Sequence, residues 1–181
     1  MAEAIRTKPL PEKTLGSGIA SVTAAPEASR ISLRAGPEAI EVLSTALDLG
    51  LPTRPKASES KNGRMAFWLG PDEWLVIDQN GADLIALCAS VSAPHSSVDI
   101  SHRNTAIIVS GPGAQDAVNG ACPLDLSLKA FPVGACTRTL LAKIEIVLYR
   151  SSEDTFRVEC WRSFAPYAFG MLNEGAIDVS I

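Results

Sequence analysis

"ISLRAGPEAIEVLSTALDLGLP", residues 31–52, and "AIIVSGPGAQDAVNGACPLDLS", residues 106–127, are two copies of one plan. Each reads as an apolar strand, a Gly-Pro, an amphipathic helix and an L-x-L exit, and internal similarity of this kind bounds the fold before any single motif does. Gly36-Pro37 aligns with Gly111-Pro112, where proline's fixed φ and missing N–H suit a first helical turn. The first helix presents Ile40, Leu43 and Leu47 on one face, and the second presents Ala114, Ala117, Val118 and Ala121.

The likeness continues downstream. "MAFWLGPDEWLVI", residues 65–77, reads as two strands around a Gly-Pro-Asp-Glu turn, followed by a helix from Gly81 to Ser90 with Leu84, Ile85 and Cys88 inward. "LAKIEIVLYRSSEDTFRVECW", residues 141–161, alternates around Ser151–Asp154 with Ile144, Ile146, Phe156, Val158 and Cys160 inward. Its helix is "SFAPYAFGML", capped by Ser163, with Phe164, Tyr167, Ala168 and Met171 on one stripe. The expectation is an α+β fold of two pseudo-symmetric βαββα (ferredoxin-like) halves with antiparallel sheets, spanning 31–95 and 96–175 within a single domain 31–181, with an extra strand at "SSVDIS" joining them. Residues 1–30, rich in small residues and proline without periodicity, read as an extended arm, and "GLPTRPKASESKNGR", residues 50–64, as a polar loop.

Composition narrows the function. The chain has 181 residues, 46% of them hydrophobic, enough to bury a real core, and its net charge of −4 with scattered basic residues disfavours nucleic acid as a partner. The N-terminus lacks the apolar run of a signal peptide and no segment approaches a membrane span, so a cytoplasmic protein is expected. Cys88, Cys122, Cys136 and Cys160 are isolated in apolar surroundings without a C-x-x-C pair, which reads as buried free thiols and no metal site.

Asp99, Ser101 and His102 are the residue types of a hydrolytic triad. On a strand, however, Asp99 and Ser101 share a face and His102 takes the other; if "SHRN" is instead a turn the three groups could approach, but no nucleophile elbow precedes the serine. Bonding of Asp99 or Ser101 to the backbone at a strand joint is the better reading. Gly111-Pro112-Gly113 lacks the amide that a phosphate loop needs at Pro112. Asp72-Glu73 and Glu153-Asp154 are solvated turn residues. No catalytic residue emerges. Trp68, Trp74 and Trp161, with Arg162, Phe164, Tyr167 and Phe169, supply more aromatic surface than a helix face hides. Core packing accounts for these rings on one reading and a protein interface on the other; for the interface, Trp161, Arg162 and Phe169 are the candidate anchors, Phe169 because it lies off the 164/167/171 stripe.

"FWLGPDEWLV", "VDISHRNTAIIVSGPGAQDAVNGACPLDLSL", "FPVGACTRTLLAKIEIVLYR" and "FRVECWRSFAPYAFGML" together resemble the gamma subunit of heterotetrameric sarcosine oxidase over roughly residues 65–175. The V-D-I-S-H segment is more distantly similar to the folate-binding domain of aminomethyltransferases. The resemblance implies a subunit of an enzyme that oxidises sarcosine to glycine, releases hydrogen peroxide and passes the one-carbon unit to tetrahydrofolate. It implies alpha, beta and delta partner subunits. In that family the FAD, FMN, NAD and folate channel belong to alpha and beta, the zinc belongs to delta, and gamma acts in assembly without catalytic residues of its own. The alternative is a stand-alone folate-binding or aminomethyltransferase-like protein, although such enzymes are longer than this chain.

Overall fold

The computed structural model describes residues 8–10, 12 and 14–180. In chain order the elements are β1 (Leu15–Gly16), β2 (Ser21–Ala24), β3 (Ser29–Ala35), α1 (Pro37–Ala46), β4 (Ser58–Lys61), β5 (Arg64–Gly70), β6 (Glu73–Asp78), α2 (Leu84–Ala89), β7 (His95–Asp99), β8 (Asn104–Ser110), α3 (Ala114–Asn119), β9 (Cys136–Leu141), β10 (Ile144–Ser152), β11 (Thr155–Trp161) and, after a 3-10 turn at Arg162–Phe164, α4 (Ala165–Asp178). Two antiparallel sheets result, ordered β4-β5-β6-β3-β7 and β9-β10-β11-β8-β2-β1.

The two orders correspond, and the exchange of strands between them ties the halves together. β2, which precedes the first copy, pairs with β8 of the second, while β7, which precedes the second copy, pairs with β3 of the first. Each copy therefore adds its leading strand to the other's sheet. Ser21 opposes Ser110 and Ala24 opposes Ile107, and across the other joint Ile31 opposes Asp99 and Ala35 opposes His95.

Strand alternation divides the side chains into layers. Ile31, Leu33, Trp74 and Val76 face α1 and α2, joining Ala39, Leu43, Leu47, Leu84 and Cys88 in one core. Val22, Ile107, Val109, Ile146, Phe156 and Val158 face α3 and α4 in a second, larger core. Between the sheets Met65, Phe67, Leu75 and Ile77 meet Cys136 and Tyr149, and the rings of Phe67 and Tyr149 lie 4.6 Å apart. The rest of this middle layer is ionic. Arg30 of β3 donates from Nε to Glu159 Oε2 of β11 at 2.8 Å and from Nη1 to the Ala28 carbonyl at 3.0 Å, while Arg157 Nε donates to Glu159 Oε1 at 2.8 Å. All three side chains are buried. Farther along, Arg138 of β9 bridges to Glu73 of β6 at 2.7 Å, a second clasp between the sheets.

Several expectations change. Each copy is βαβββα, because β4 and β9 add a strand that the expected βαββα plan lacks. β4 is "SESK", an exposed edge strand whose polar residues carry no alternation, and it occupies part of the expected polar loop. The first sheet reaches past residue 95, because β7, although it leads into the second copy, pairs with β3. Of the expected arm, residues 1–7, 11 and 13 lie outside the described residues, whereas Leu15–Gly16 and Ser21–Ala24 are strands on this chain's own sheet, with Leu10, Ala20 and Val22 in its core. Pro37 sits at the start of α1 as expected, but Pro112 precedes Gly113, which caps α3, so the second copy has two extra residues between strand and helix.

The phase of α4 is also different. Its inward residues are Ala165, Ala168, Phe169, Leu172 and Ala176, while Phe164 and Tyr167 are exposed, and Ser163 lies within the 3-10 turn rather than capping the helix. Close approach explains the choice: a Cβ on Gly175 would lie 2.4 Å from the Ala117 carbonyl oxygen of α3, so mostly small residues fit this face. Phe169, an expected surface anchor, is instead a core residue at 5% exposure.

Removing one member of a buried ion pair strands its partner in low dielectric and typically costs about 3–5 kcal/mol. Glu159→Gln leaves both guanidinium groups without a compensating charge, and urea unfolding of the full chain is expected to show a loss of that size. Asp72→Ala, which breaks the exposed Arg34–Asp72 pair, is expected to cost less than about 1 kcal/mol.

Candidate functional site

The Asp-Ser-His stretch lies where the chain crosses from one sheet to the other. β7 ends at Asp99, and Ile100–Asn104 is a turn: Arg103 N and Asn104 N both donate to the Ile100 carbonyl, at 3.1 and 3.0 Å. The strand geometry expected for Ser101 and His102 therefore does not apply. Asp99 Oδ1 accepts from Ser101 N at 2.8 Å and from the Ser101 hydroxyl at 2.6 Å, and Ser101 Oγ accepts the Arg30 N–H at 2.8 Å. The hydroxyl is thus committed to holding β3 against the turn. No hydrogen bond links it to His102, whose side chain is exposed, so nothing here activates a nucleophile. The strand-joint reading of Asp99 and Ser101 describes the observed bonds.

Beside this turn an open cleft of about 630 Å³ lies between the Leu10 and Thr14 region, the end of β2 and the crossover, lined by Thr23, Arg30, Ser101, His102, Asn104 and Arg162 among others. Its size suits a small molecule. Two of its polar lining groups are already used, however, Arg30 by Glu159 and Ser101 by Asp99. Among its described residues the cleft offers shape and scattered charge.

The other candidate chemistries also resolve into structure. At the Gly-Pro-Gly turn, Gly111 N donates to Asp154 O and Gly113 N to Ile19 O, each at 2.9 Å, and Pro112 has no N–H. Gly111 has φ +114°, and a Cβ there would lie 2.5 Å from the Ile19 carbonyl oxygen, so the glycine admits this chain's own backbone. These amides do not fit a dinucleotide phosphate. The four cysteines are free and buried, and among the described residues no cluster of three or more His, Cys, Asp or Glu is placed to hold a metal. Burial pushes the Cys136 and Cys160 thiols up to about 12. Asp72 and Glu73 serve cross-strand and cross-sheet ion pairs to Arg34 and Arg138.

The aromatic residues separate. Trp74 is fully buried, its Nε1 donating to Pro52 O at 2.7 Å, and Trp68 is half-buried. Trp161 is 44% exposed at the outer end of β11, where Arg162 N donates to Arg103 O at 2.7 Å and joins the crossover turn to the start of the 3-10 turn. The Arg103 guanidinium lies 5.5 Å from the Trp161 ring centroid, and Phe164 stacks against Trp161 with ring centroids 5.9 Å apart. Of the three expected anchors, Trp161 and Arg162 lie together here and Phe169 does not. Sequence reasoning misses Arg103, which only the crossover turn brings over Trp161; the i to i+3 spacing of Trp161 and Phe164 is the readable signal.

Residues 34–178 match the sarcosine oxidase, gamma subunit family. The chain belongs to that family. It is 32% identical to sarcosine oxidase subunit gamma of Corynebacterium sp. (strain P-1) over 145 residues, 77% of this chain and 71% of the relative, and 32% identical to the subunit of the same name from Arthrobacter sp over 136 residues, 72% and 67% of the two chains. Among solved structures it is similar to a chain of the heterotetrameric sarcosine oxidase from Corynebacterium sp. U-96 in complex with pyrrole 2-carboxylate, at 25% identity and TM-score 0.85 over 92% of this chain and 89% of that one. The fold alone is shared with glycine cleavage system aminomethyltransferase T from Bartonella henselae, at 15% identity and TM-score 0.66, where 88% of this chain covers 47% of that protein. The gamma-subunit fold thus spans less than half of that aminomethyltransferase chain.

Two outcomes test the structural assignment of these groups. Ser101→Ala removes the link between β3 and the crossover and is expected to lower stability by about 1–3 kcal/mol, whereas His102→Ala, on the exposed side, is expected to change it by less than about 0.5 kcal/mol. For the thiols, the folded value of about 12 lies above the ordinary 9.0. The unfolded chain therefore releases these protons first, and stability present below pH about 9 is lost as pH rises toward 12. Urea midpoints should fall over that window, and fall less in Cys136→Ala/Cys160→Ala.

Proposed function

We propose that this chain is a non-catalytic gamma subunit of a heterotetrameric sarcosine oxidase. The observation that carries the reading is the match to a chain of such an enzyme over 92% of one chain and 89% of the other. The internal chemistry supports it: the Ser101 hydroxyl, the Arg30 and Glu159 charges and the glycine-turn amides all serve the chain's own structure. Alpha, beta and delta subunits are the partners. The complex converts sarcosine to glycine with release of hydrogen peroxide and formation of 5,10-methylenetetrahydrofolate. FAD, FMN, NAD and the tetrahydrofolate channel are assigned to alpha and beta, and zinc to delta.

The work of this chain is then to complete and stabilise the assembly, which raises the stability of each bound subunit by mass action. Trp161 and Arg162 remain the proposed anchors, and Phe164 takes the place of the buried Phe169. Purified alone, the chain is expected to show no visible flavin spectrum and no sarcosine-dependent peroxide release. Co-expressed with the other subunits, it is expected to co-elute with them, and Trp161→Ala to weaken retention by about thirtyfold, the equivalent of the ~2 kcal/mol typical of an aromatic anchor. A stoichiometric flavin spectrum or sarcosine oxidation by the lone chain would overturn the non-catalytic reading.

A further inference from the structure

The outer end of the β8–β11 pair is an aromatic platform whose two building segments carry no carboxylate. These segments are the crossover turn and the 3-10 turn that leads into α4, joined by the bond from Arg162 N to Arg103 O. Arg103, Trp161 and Phe164 stack in that order, and Trp161, Phe164 and Tyr167 are each at least 40% exposed. The whole chain has 20 acidic and 16 basic residues, yet no Asp or Glu occurs from Ile100 to Gln115 or from Cys160 to Asn173. Carboxylates of the neighbouring groove are engaged elsewhere, Glu73 and Glu145 with Arg138 and Glu159 with Arg30. Apart from Nε, which donates to Asn104 Oδ1 at 3.2 Å, the Arg103 guanidinium has no hydrogen bond or ion pair among the described residues. His102 is exposed beside it.

From this we infer that the platform docks an acidic segment of a partner subunit, an Asp or Glu pairing with Arg103 while an apolar side chain lies over Phe164 and Tyr167. The inference rests on the assembly reading above and names the chemistry of the surface that assembly would use. The cation–π contact at 5.5 Å from the Trp161 ring centroid favours this placement of the Arg103 guanidinium before a carboxylate arrives, which reduces the side-chain freedom lost on pairing. The rings provide the desolvated centre that anchors an interface, and the cation at its rim selects partner and orientation. A nucleic acid would need a wider basic field than one acidic chain offers here.

The test uses the full chain co-expressed with the remaining subunits of its own oxidase. Arg103→Glu is expected to weaken their retention at least about tenfold at low ionic strength. The gap should close as salt rises from about 0.05 M to about 0.5 M, because rim charges are screened over that range. Lys129→Glu, at the opposite end of the β10–β11 hairpin, should match wild type, and the thermal midpoints of the free chains should agree. Arg103→Lys supplies a primary amine, and carbodiimide treatment of that assembly is expected to join the introduced amine to a partner Asp or Glu, read by peptide mass spectrometry. Several results would overturn the proposal: unchanged retention of Arg103→Glu, a gap that persists at high salt, a crosslink to a second copy of this chain, or no crosslink in an intact assembly. These leave the assembly reading standing; failure of the wild-type chain to co-elute overturns both.

Discussion

Glu159, held between Arg30 and Arg157, is the contact on which the arrangement of the two sheets depends. The sheets have helices on their outer faces, so their inner faces must cover one another. Part of that middle layer is apolar and would tolerate sliding, because apolar contacts carry little direction. The ionic part does not. Arg30 reaches across at 2.8 Å, and a one-residue slip of β3 or β11 would turn Arg30 or Glu159 into a helix-packed core with no partner. The pair thus sets register more than it adds stability, since the desolvation of two charges offsets much of their attraction.

The exchange of leading strands explains why the most suggestive motif is structural. A chain that lends β2 to one sheet and β7 to the other must cross between sheets twice, before β3 and after β7. Those crossings lie side by side: Ile100 N donates to Arg30 O at 2.9 Å, Ser101 Oγ accepts from Arg30 N, and Ala25 N donates to Ala106 O at 2.9 Å. Leaving a sheet strands backbone donors that must find acceptors. Asp99 and Ser101 are short polar side chains of the kind that bond nearby backbone, and they supply those acceptors. Their proximity in sequence, which suggests catalysis, is what a tight joint requires.

The duplicated plan is legible because strand and helix periodicities repeat with apolar residues at the inward positions: Leu43 and Val118 lie where the helical period places them, and Ile146 and Val158 where strand alternation does. What escapes reading has a physical reason in each case. β4 is polar on both sides because it is an exposed edge, so it carries no pattern to detect. Arg157 and Glu159 alternate with core residues as solvent-facing positions do, but their face is covered by a second sheet, and only tertiary structure reveals that. Giving the largest side chains to the core inverts the phase of α4. Contact with α3 at Gly175 demands small ones, so alanines turn inward and Phe164 and Tyr167 outward.

That inversion links fold to function. A helix starting one turn after Trp161 could have buried its aromatics; close packing of α4 on α3 leaves room inside for Phe169 and little else of that size. The displaced rings gather at the end of β11, where Arg103 already stacks on Trp161. Clustered exposed rings of this kind are a common feature of surfaces that another protein covers. The interior, by contrast, holds its strongest polar groups in mutual contact. The chain therefore commits Asp99, Ser101, Arg30 and Glu159 to holding its own sheets and crossings together, and leaves the rings of Trp161, Phe164 and Tyr167 exposed at the end of β11, where another protein can cover them.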